Sequence, residues 1–178
     1  MNKTVTIAGK EYGTVFLAPM AGMGDAAFRR ICKEHGADYM TTEMVSAKAL
    51  CYGDKKTPIL AAIREYETPI AIQIFGSEPE TMARASEILL EFAAKSGIAP
   101  AAIDVNMGCP APKIAGNRCG SALMRDPDLC RRIVDFILSP TMLALGDENS
   151  LRALWYDLTN KDWFKALLDV ERTAVEKI

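Results

Sequence analysis

A cysteine in a turn rich in glycine and proline is the residue of this chain with the clearest potential for chemistry. Cys109 follows a short apolar run, residues 101–105, that predicts a buried strand. The strand is ended by the turn residues Asn106, Gly108 and Pro110. A side chain at the end of a buried strand is held by a rigid element and stays open to a ligand. Cys109 and Asn106 are therefore candidates for a site, although a single cysteine is more often a small buried apolar residue.

The segment after this turn is better suited to a pocket than to a core. It contains Gly116 and Gly120, and it also carries Lys113 and Arg118. These cations could form a basic patch beside Cys109, and by charge alone a solvated helix face explains them equally well. Further arginines that could join such a patch are Arg125, Arg131 and Arg132.

Four short motifs follow one another along the chain. They are Ala18-Pro19-Met20-Ala21-Gly22, Thr42-Glu43-Met44, Gln73-Ile74-Phe75-Gly76, and Asn106-Met-Gly-Cys109-Pro110 with Lys113 and Gly120-Ser-Ala-Leu123. In this order and spacing they resemble the tRNA-dihydrouridine synthases, and most of all the bacterial B-type branch of that family. The resemblance covers roughly residues 8–137.

The resemblance implies a reaction and a partner. The family reduces a uridine in tRNA to 5,6-dihydrouridine, with FMN as the hydride carrier and NADPH as the electron source, and the cofactor does the difficult chemistry. Hydride would reach C6 of the base, and Cys109 would give a proton to C5 from the opposite face. A thiol suits this task because it is mostly protonated at neutral pH. Asn106 would orient the base or the flavin through its amide.

The resemblance also assigns binding residues. Pro19, Met20 and Ala21 would line the isoalloxazine with backbone groups, and Gln73 would hydrogen-bond to its polar edge. Taken alone, Met20 is better explained as part of the core. Lys113 and Arg118 would lie near RNA phosphates, where cations position a substrate without reading its sequence.

The apolar periodicity predicts alternating strands and helices. Residues 4–7 and 14–18 are β-rich and flank Gly9–Gly13, which predicts a hairpin and then a buried strand over 14–18. Further strands are predicted at 38–42, 70–75 and 101–105. A helix is predicted over residues 26–35, with Asp25 as the cap and with Phe28, Ile31 and Cys32 on one face. Another is predicted over 81–96, with Ser77 and Glu80 as its capping box. Further helices are predicted over 47–50, 59–66 and 126–138.

Four β/α units in series predict an α/β protein with a parallel sheet. Both an open doubly wound sheet and a part of a (β/α)8 TIM barrel fit this order, and both place ligands at the carboxyl ends of the strands. The absence of a Gly-x-Gly-x-x-Gly turn after any strand weakens the dinucleotide-binding alternative. The family resemblance selects the barrel, with residues 1–138 as its N-terminal half.

Residues 139–178 show no resemblance to the family and are predicted to form a helical tail packed on the barrel fragment. Helix formers run from Asp147 to Leu158 and from Lys161 to Lys177. A full barrel needs roughly 250 residues, and the later family motifs, which are a lysine, a histidine and two glycine-rich phosphate loops, have no counterpart here. Two copies of the chain could associate to cover the open edges of a half barrel.

Three functions therefore stay open. The first is a flavin-dependent tRNA-dihydrouridine synthase, intact or shortened. The second is another flavin-dependent pyrimidine dehydrogenase, which Lys113 and Gly120-Ser-Ala-Leu123 disfavour. The third is an inactive barrel fragment without a cofactor, which the missing phosphate loops favour.

Composition and charge restrict the setting. A net charge of −2 argues against nucleic-acid binding through overall charge. Five cysteines without Cys-x-x-Cys spacing fit a reducing compartment, and no apolar run reaches the length of a membrane span or a signal peptide, so a cytoplasmic protein is expected. A single histidine, His35, rules out a histidine-rich metal site, and its place at a helix end predicts a structural role.

Overall fold

A parallel sheet carries the fold of this chain. The structure, a computed structural model, describes residues 4–7 and 9–145, with side chains up to residue 138. The strands are β1 Val5–Ile7, β2 Lys10–Tyr12, β3 Phe16–Leu17, β4 Tyr39–Thr41, β5 Val45–Ser46, β6 Ile70–Phe75 and β7 Ala102–Val105. The helices are α1 Ala26–Glu34, α2 Ala47–Cys51, α3 Thr57–Leu60, α4 Pro79–Ser96, α5 Pro112–Ala115 and α6 Pro127–Leu145, and Glu65–Glu67 and Gly120–Arg125 are 3-10 helices.

The strand order supports a barrel rather than a doubly wound sheet. β3 pairs with β4 in parallel, β4 and β5 pair with the two ends of β6, and β7 pairs with β6. Because Ala71 and Ile74 of β6 each have partners in both β7 and β4 or β5, those neighbours lie on opposite edges of β6. The strands thus follow one another in chain order without a reversal, which is consistent with part of a TIM barrel and confirms the predicted α/β class.

The core lies between the sheet and the outer helices. Ile70, Ile72 and Ile74 of β6 are buried, and α4 contributes Met82, Ala85 and Leu89 to the same cluster. The side chain of Gln73, which stands between Ile72 and Ile74, points to the opposite face of the sheet, because successive side chains of a strand alternate between the two faces. The core thereby fixes the direction in which Gln73 faces. None of the helices in the described part of the chain is both long and apolar enough to cross a membrane.

The N-terminal segment differs from the prediction. A hairpin is present, but its arms are β1 and β2, so residues 10–12 are a strand and not a loop. The buried strand predicted over 14–18 is reduced to the two residues of β3 and is not buried, since Phe16 is 41% exposed and Val15, just before the strand, is 56% exposed. The reason is that β3 lies at an edge of the described sheet, where its only strand partner among the described residues is β4.

Two helical predictions were wrong in detail. Helix α4 begins at Pro79 with Glu78 as its N-cap, not with a capping box from Ser77. Proline fits the first helical position because its φ is preset and its missing N–H is not needed there. The segment from Ile59 to Tyr66 is not one helix, because α3 ends at Leu60 and a 3-10 helix starts at Glu65.

The first and last helices also depart from the expected pattern. Asp25 caps α1 as predicted, its carboxylate accepting from the N–H of Phe28 at 2.8 Å. The predicted apolar face of α1 is not its buried face, because Ile31 is 55% exposed while Arg29 is 2% exposed. Helix α6 continues through Pro140 to Leu145, beyond the predicted end at Leu138. The helices predicted over 147–158 and 161–177 lie outside the described residues.

Candidate functional site

A cleft opens at the carboxyl ends of the parallel strands. Its volume is about 610 Å³, which is within the range of small-molecule sites. Its polar side chains come from the ends of β6 and β7, and Cys109 lies on the loop just after β7. The described lining residues are Pro19, Ala21, Met44, Gln73, Asp104, Val105, Asn106, Met107, Gly108, Cys109, Pro110 and Met124.

A chain of three hydrogen bonds connects the polar side chains of the cleft. The backbone N–H of Cys109 donates to Asn106 Oδ1 at 3.0 Å. Asn106 Nδ2 donates to Gln73 Oε1 at 2.8 Å, and Gln73 Nε2 donates to Asp104 Oδ2 at 2.6 Å. Gln73 and Asn106 are 4% and 9% exposed, so this amide chain is almost fully enclosed by protein. It holds the predicted residues Cys109, Asn106 and Gln73 in one arrangement.

Asp104 was not singled out from the sequence. It lies directly opposite Gln73 in the pairing of β6 with β7, so the two side chains share one face of the sheet. An aspartate inside an otherwise apolar strand is unusual, and this was the signal that could have indicated it. Burial raises the pKa of the Asp104 carboxyl, and the hydrogen bond from Gln73 opposes part of that effect.

The loop that bears Cys109 is held from behind by Gly120. The N–H of Ser121 donates to Cys109 O at 3.0 Å, and Gly120 packs directly against the same carbonyl. A Cβ on Gly120 would lie 2.5 Å from Cys109 O and 2.8 Å from Ile114 Cγ2, and its φ of +60° favours glycine. The Gly120-Ser-Ala-Leu123 motif therefore acts as the support for the cysteine loop.

The opposite wall of the cleft is fixed by a buried ion pair. Arg29 and Glu67 are joined at 2.9 Å, with side chains 2% and 0% exposed. Arg29 also donates to Gly24 O at 2.7 Å and to Ala62 O at 3.1 Å. Since Gly24 lies in the loop between β3 and α1, which also carries the lining residues Pro19 and Ala21, this pair anchors that wall of the cleft to the segment before β6. Neither partner was predicted from the sequence.

An aromatic cluster packs around Tyr39 at the start of β4. The ring of Tyr39 packs edge-on against Tyr12 with ring centroids 5.2 Å apart, and it stacks on Phe16 at 5.1 Å. Burial raises the pKa of Tyr39 to about 12, with the charges of Tyr12 and Asp104 as smaller causes. The Tyr39 hydroxyl therefore stays neutral over the physiological range.

Three predicted site residues do not line the cleft. Met20 lies on the loop between β3 and α1 and is 36% exposed. Its carbonyl oxygen accepts a hydrogen bond from the N–H of Gly24 at 2.7 Å. Lys113 is exposed on α5, and the exposed side chain of Arg118 reaches Asp126 at 3.4 Å. The two cations lie on the segment that follows Cys109, outside the cleft, and their predicted contacts with RNA stay predictions.

The remaining cysteines are free thiols, and Cys119 and Cys130 are buried. Burial raises the pKa of Cys130 to about 11, with the charge of Asp126 as a smaller cause. Within residues 4–7 and 9–145, no three histidine, cysteine, aspartate or glutamate side chains are grouped so that they could hold a metal ion.

The fold and the cleft define the class of protein, a β/α-barrel type with its site at the carboxyl ends of the strands. Residues 16–140 match the family model described as dihydrouridine synthase (Dus). The chain belongs to the Dus family, as the motifs around Cys109 and Gln73 predicted.

Individual relatives agree with this assignment. The chain is 39% identical over 164 residues to tRNA-dihydrouridine synthase B of Pasteurella multocida, covering 92% of this chain and 47% of that protein. It is 42% identical over 168 residues to a probable tRNA-dihydrouridine synthase of Treponema pallidum, covering 92% and 48%. The Xanthomonas campestris B-type protein is 39% identical over 133 residues, covering 75% and 37%.

The extent of these alignments adds two facts. The chain spans about half the length of the first two relatives. Because 92% of the chain is covered in both, the alignments extend into residues 139–178. The expectation that residues 139–178 have no match to the family was therefore wrong.

Proposed function

We propose that this chain carries the uridine-reducing site of a tRNA-dihydrouridine synthase that uses FMN as cofactor and NADPH as electron source. The observation that supports this most directly is the placement of Cys109, Asn106 and Gln73 around one cleft, joined by two hydrogen bonds. Tertiary structure thus brings together the residues that the family motifs single out. The reaction and the tRNA substrate come from the names of the relatives.

The lining of the cleft fits the ring system of a flavin. Pro19, Ala21, Met44 and Val105 offer apolar surface to a flat aromatic group. Gln73 and Asn106 each use one amide N–H in the hydrogen-bond chain, which leaves the second N–H of each for an acceptor atom of a ligand. The described lining contains no lysine or arginine, so the fit concerns the ring and not the phosphate.

In this proposal the chain positions the base and supplies one proton. When bound and reduced by NADPH, the flavin would supply a hydride to C6 of the uracil ring. The thiol of Cys109 would give its proton to C5 on the opposite face, so that the C5–C6 double bond becomes single, and the thiolate would recover a proton from solvent. The loop fixed by Asn106 and Gly120 would hold the thiol for this transfer.

The substrate would reach the cleft as a base turned out of its stack, because a stacked base cannot enter a site recessed among strand ends. Lys113 and Arg118 follow Cys109 in the chain and are exposed to solvent. We propose that they contact the RNA backbone next to the target uridine, as expected for cations that position a nucleic acid.

One alternative keeps specific support. The chain spans about half the length of its relatives, and the described lining of the cleft offers no cation for a phosphate. These facts favour a family member that folds but holds no flavin by itself. The other alternative, a different pyrimidine dehydrogenase, is disfavoured by the match to the dihydrouridine synthase family.

A flavin titration separates the flavin-binding enzyme from the family member that holds no flavin by itself. Purified full chain is titrated into FMN, and quenching of the flavin fluorescence is followed together with the absorbance spectrum. A saturable decrease in fluorescence supports the flavin site, and titration with a Gln73→Leu variant should weaken it. A chain that leaves FMN fluorescence unchanged at every concentration would reject the working-enzyme proposal in favour of the cofactor-free alternative.

The role of Cys109 has its own test. Cys109→Ala should abolish dihydrouridine formation in tRNA, measured by mass spectrometry of nucleosides, while FMN affinity stays within about twofold because the backbone contacts remain. Cys51→Ala is the matched control, since Cys51 is also a free thiol and lies outside the cleft lining. Equal product from both variants would remove Cys109 from the proposed role.

A further inference from the structure

Asp104 ends the hydrogen-bond chain of the cleft, and its chemistry determines the direction of that chain. The backbone N–H of Cys109 can only donate, and an ionised carboxylate can only accept. Between these two ends lie the amides of Asn106 and Gln73, each of which can be turned either way. With a donor at one end and an acceptor at the other, one orientation of both amides satisfies all three hydrogen bonds.

We propose that Asp104 is a positioning residue that acts through Gln73 and Asn106 on the backbone of Cys109. Its carboxylate holds Gln73 with Nε2 toward Asp104 and Oε1 toward Asn106. Asn106 is thereby held with Oδ1 toward the N–H of Cys109. If the Gln73 amide turned over, donor would face donor at Asn106, and the support of the cysteine loop would be lost.

The same orientation determines what the cleft offers to a ligand. Each amide oxygen already accepts a hydrogen bond within the chain, whereas each amide nitrogen keeps one N–H. The buried floor of the cleft therefore presents donors. It suits a ligand with carbonyl oxygens or unprotonated ring nitrogens, which describes the polar edge of a flavin or of a uracil.

The environment of Asp104 supports a role beyond packing. The carboxyl lies in a cleft whose lining is largely apolar, and burial raises its pKa. A charge held at such a cost often has a function. The bond to Gln73 is the shortest of the three, as expected when the acceptor is charged.

The inference rests on the proposed function only for the role of the thiol, and its test needs neither flavin nor tRNA. Alkylation of Cys109 by iodoacetamide is followed by peptide-resolved mass spectrometry in the wild-type chain and in Asp104→Leu, Asp104→Asn and Asn106→Ala variants. Cys51, which is exposed and outside the cleft lining, is the internal reference. The free energy of unfolding of each variant is measured in urea.

Asp104→Leu removes the acceptor, so the Cys109 loop should open more often and Cys109 should react roughly tenfold faster. The rate at Cys51 should stay at its wild-type value. The free energy of unfolding should not fall in step with the faster reaction at Cys109, because a partly buried charge has been replaced by an apolar group. Asp104→Asn keeps an acceptor oxygen and should restore a rate close to wild type. In an Asn106→Ala background, Asp104→Leu should add nothing, because both act through one hydrogen-bond chain.

A wild-type rate at Cys109 in Asp104→Leu would overturn the inference. So would an equal acceleration at Cys51 and Cys109, which indicates general loosening, or an additive effect of the two substitutions. Asp104→Ala, which removes the acceptor without adding volume, carries the same expectations if the leucine variant does not fold. If the wild-type chain binds no flavin, the proposed function is rejected, while the alkylation rates still test the positioning role of Asp104.

Discussion

Single residues determine how the thiol of Cys109 is presented. The loop that carries it is held by a hydrogen bond to Asn106 in front and by close contact with Gly120 behind. Neither contact involves the sulfur, so both leave the thiol free to react. The position of the cysteine loop therefore depends on the absence of a side chain at Gly120 and on the orientation of the Asn106 amide.

Gly120→Ala is predicted to destabilise the chain and to displace the cysteine loop. The new Cβ would meet Cys109 O at 2.5 Å, and the residue would keep a φ of +60°. The free energy of unfolding in urea should fall by about 1–3 kcal/mol. Gly108→Ala is the control in the same loop, because no atom lies within 4 Å of its Cβ position. Equal losses in the two variants would contradict the packing role of Gly120.

Asp104→Asn is predicted to gain stability relative to the wild type as pH rises. The pKa of Asp104 is raised in the folded chain by burial, so the unfolded chain loses this proton at lower pH than the folded chain does. The contribution of the protonated carboxyl is present in acid and is lost as pH rises through the folded pKa. Urea unfolding between about pH 3 and about pH 7 should show the difference widening in favour of asparagine. A difference independent of pH would contradict the raised pKa.

At the scale of elements, segments far apart in the chain fix the two walls of the cleft. One wall is the loop between β3 and α1, which Arg29 ties to Glu67 and to the segment before β6. The other is the loop after β7, which rests on the 3-10 helix Gly120–Arg125. The strands β6 and β7 between them provide the floor, where Gln73 faces Asp104.

Arg29→Ala is predicted to be strongly destabilising, because it leaves the carboxylate of Glu67 buried without its partner. Removing one member of such a pair typically costs about 3–5 kcal/mol. Arg30→Ala is the matched control on the same helix, since the pair of Arg30 with Glu34 is 63% and 58% exposed. That control should have little effect on urea unfolding, because exposed ion pairs are screened by solvent. Similar behaviour of the two variants would show that the Arg29 pair does not anchor the wall.

At the scale of the whole molecule, the net charge of −2 does not favour RNA, so a tRNA contact would depend on local cations. Lys113 and Arg118 lie on the segment just after Cys109, at the carboxyl edge of the sheet. Lys95 lies near the end of α4, which runs back from the carboxyl end of β6 toward the start of β7. The proposed function therefore predicts that cations near the carboxyl ends of the strands contribute to tRNA binding differently from cations near the amino ends.

Lys113→Ala and Arg118→Ala are each predicted to weaken tRNA binding and to lower the slope of log affinity against log salt by about 1. Lys95→Ala should leave both quantities unchanged. Binding of labelled tRNA is measured by filter retention at several salt concentrations. If all three variants lose affinity equally, the RNA does not approach the carboxyl edge in the proposed way, and if the wild type does not bind, the tRNA proposal itself is wrong.

The local pattern of the sequence determined the main alternation of strands and helices, the class of the fold and three residues that line the cleft, Gln73, Asn106 and Cys109. Strand β6 coincides with the predicted apolar run, and alternation along it predicted that Gln73 faces away from Ile72 and Ile74. Asn106 and Cys109 followed from turn residues at a strand end. These features depend on neighbours within a few positions, which is why the sequence alone contains them.

Only the tertiary structure decided which polar groups meet. Asp104 joins the site because strand pairing sets it opposite Gln73, and Arg29 is buried because Glu67, 38 positions later, comes to its side. Likewise Phe16 and Ile31 are exposed because of where β3 and α1 lie in the fold, although their apolar character predicted burial. The physical reason is that pairing register and burial depend on contacts between segments distant in the chain, which local periodicity does not encode.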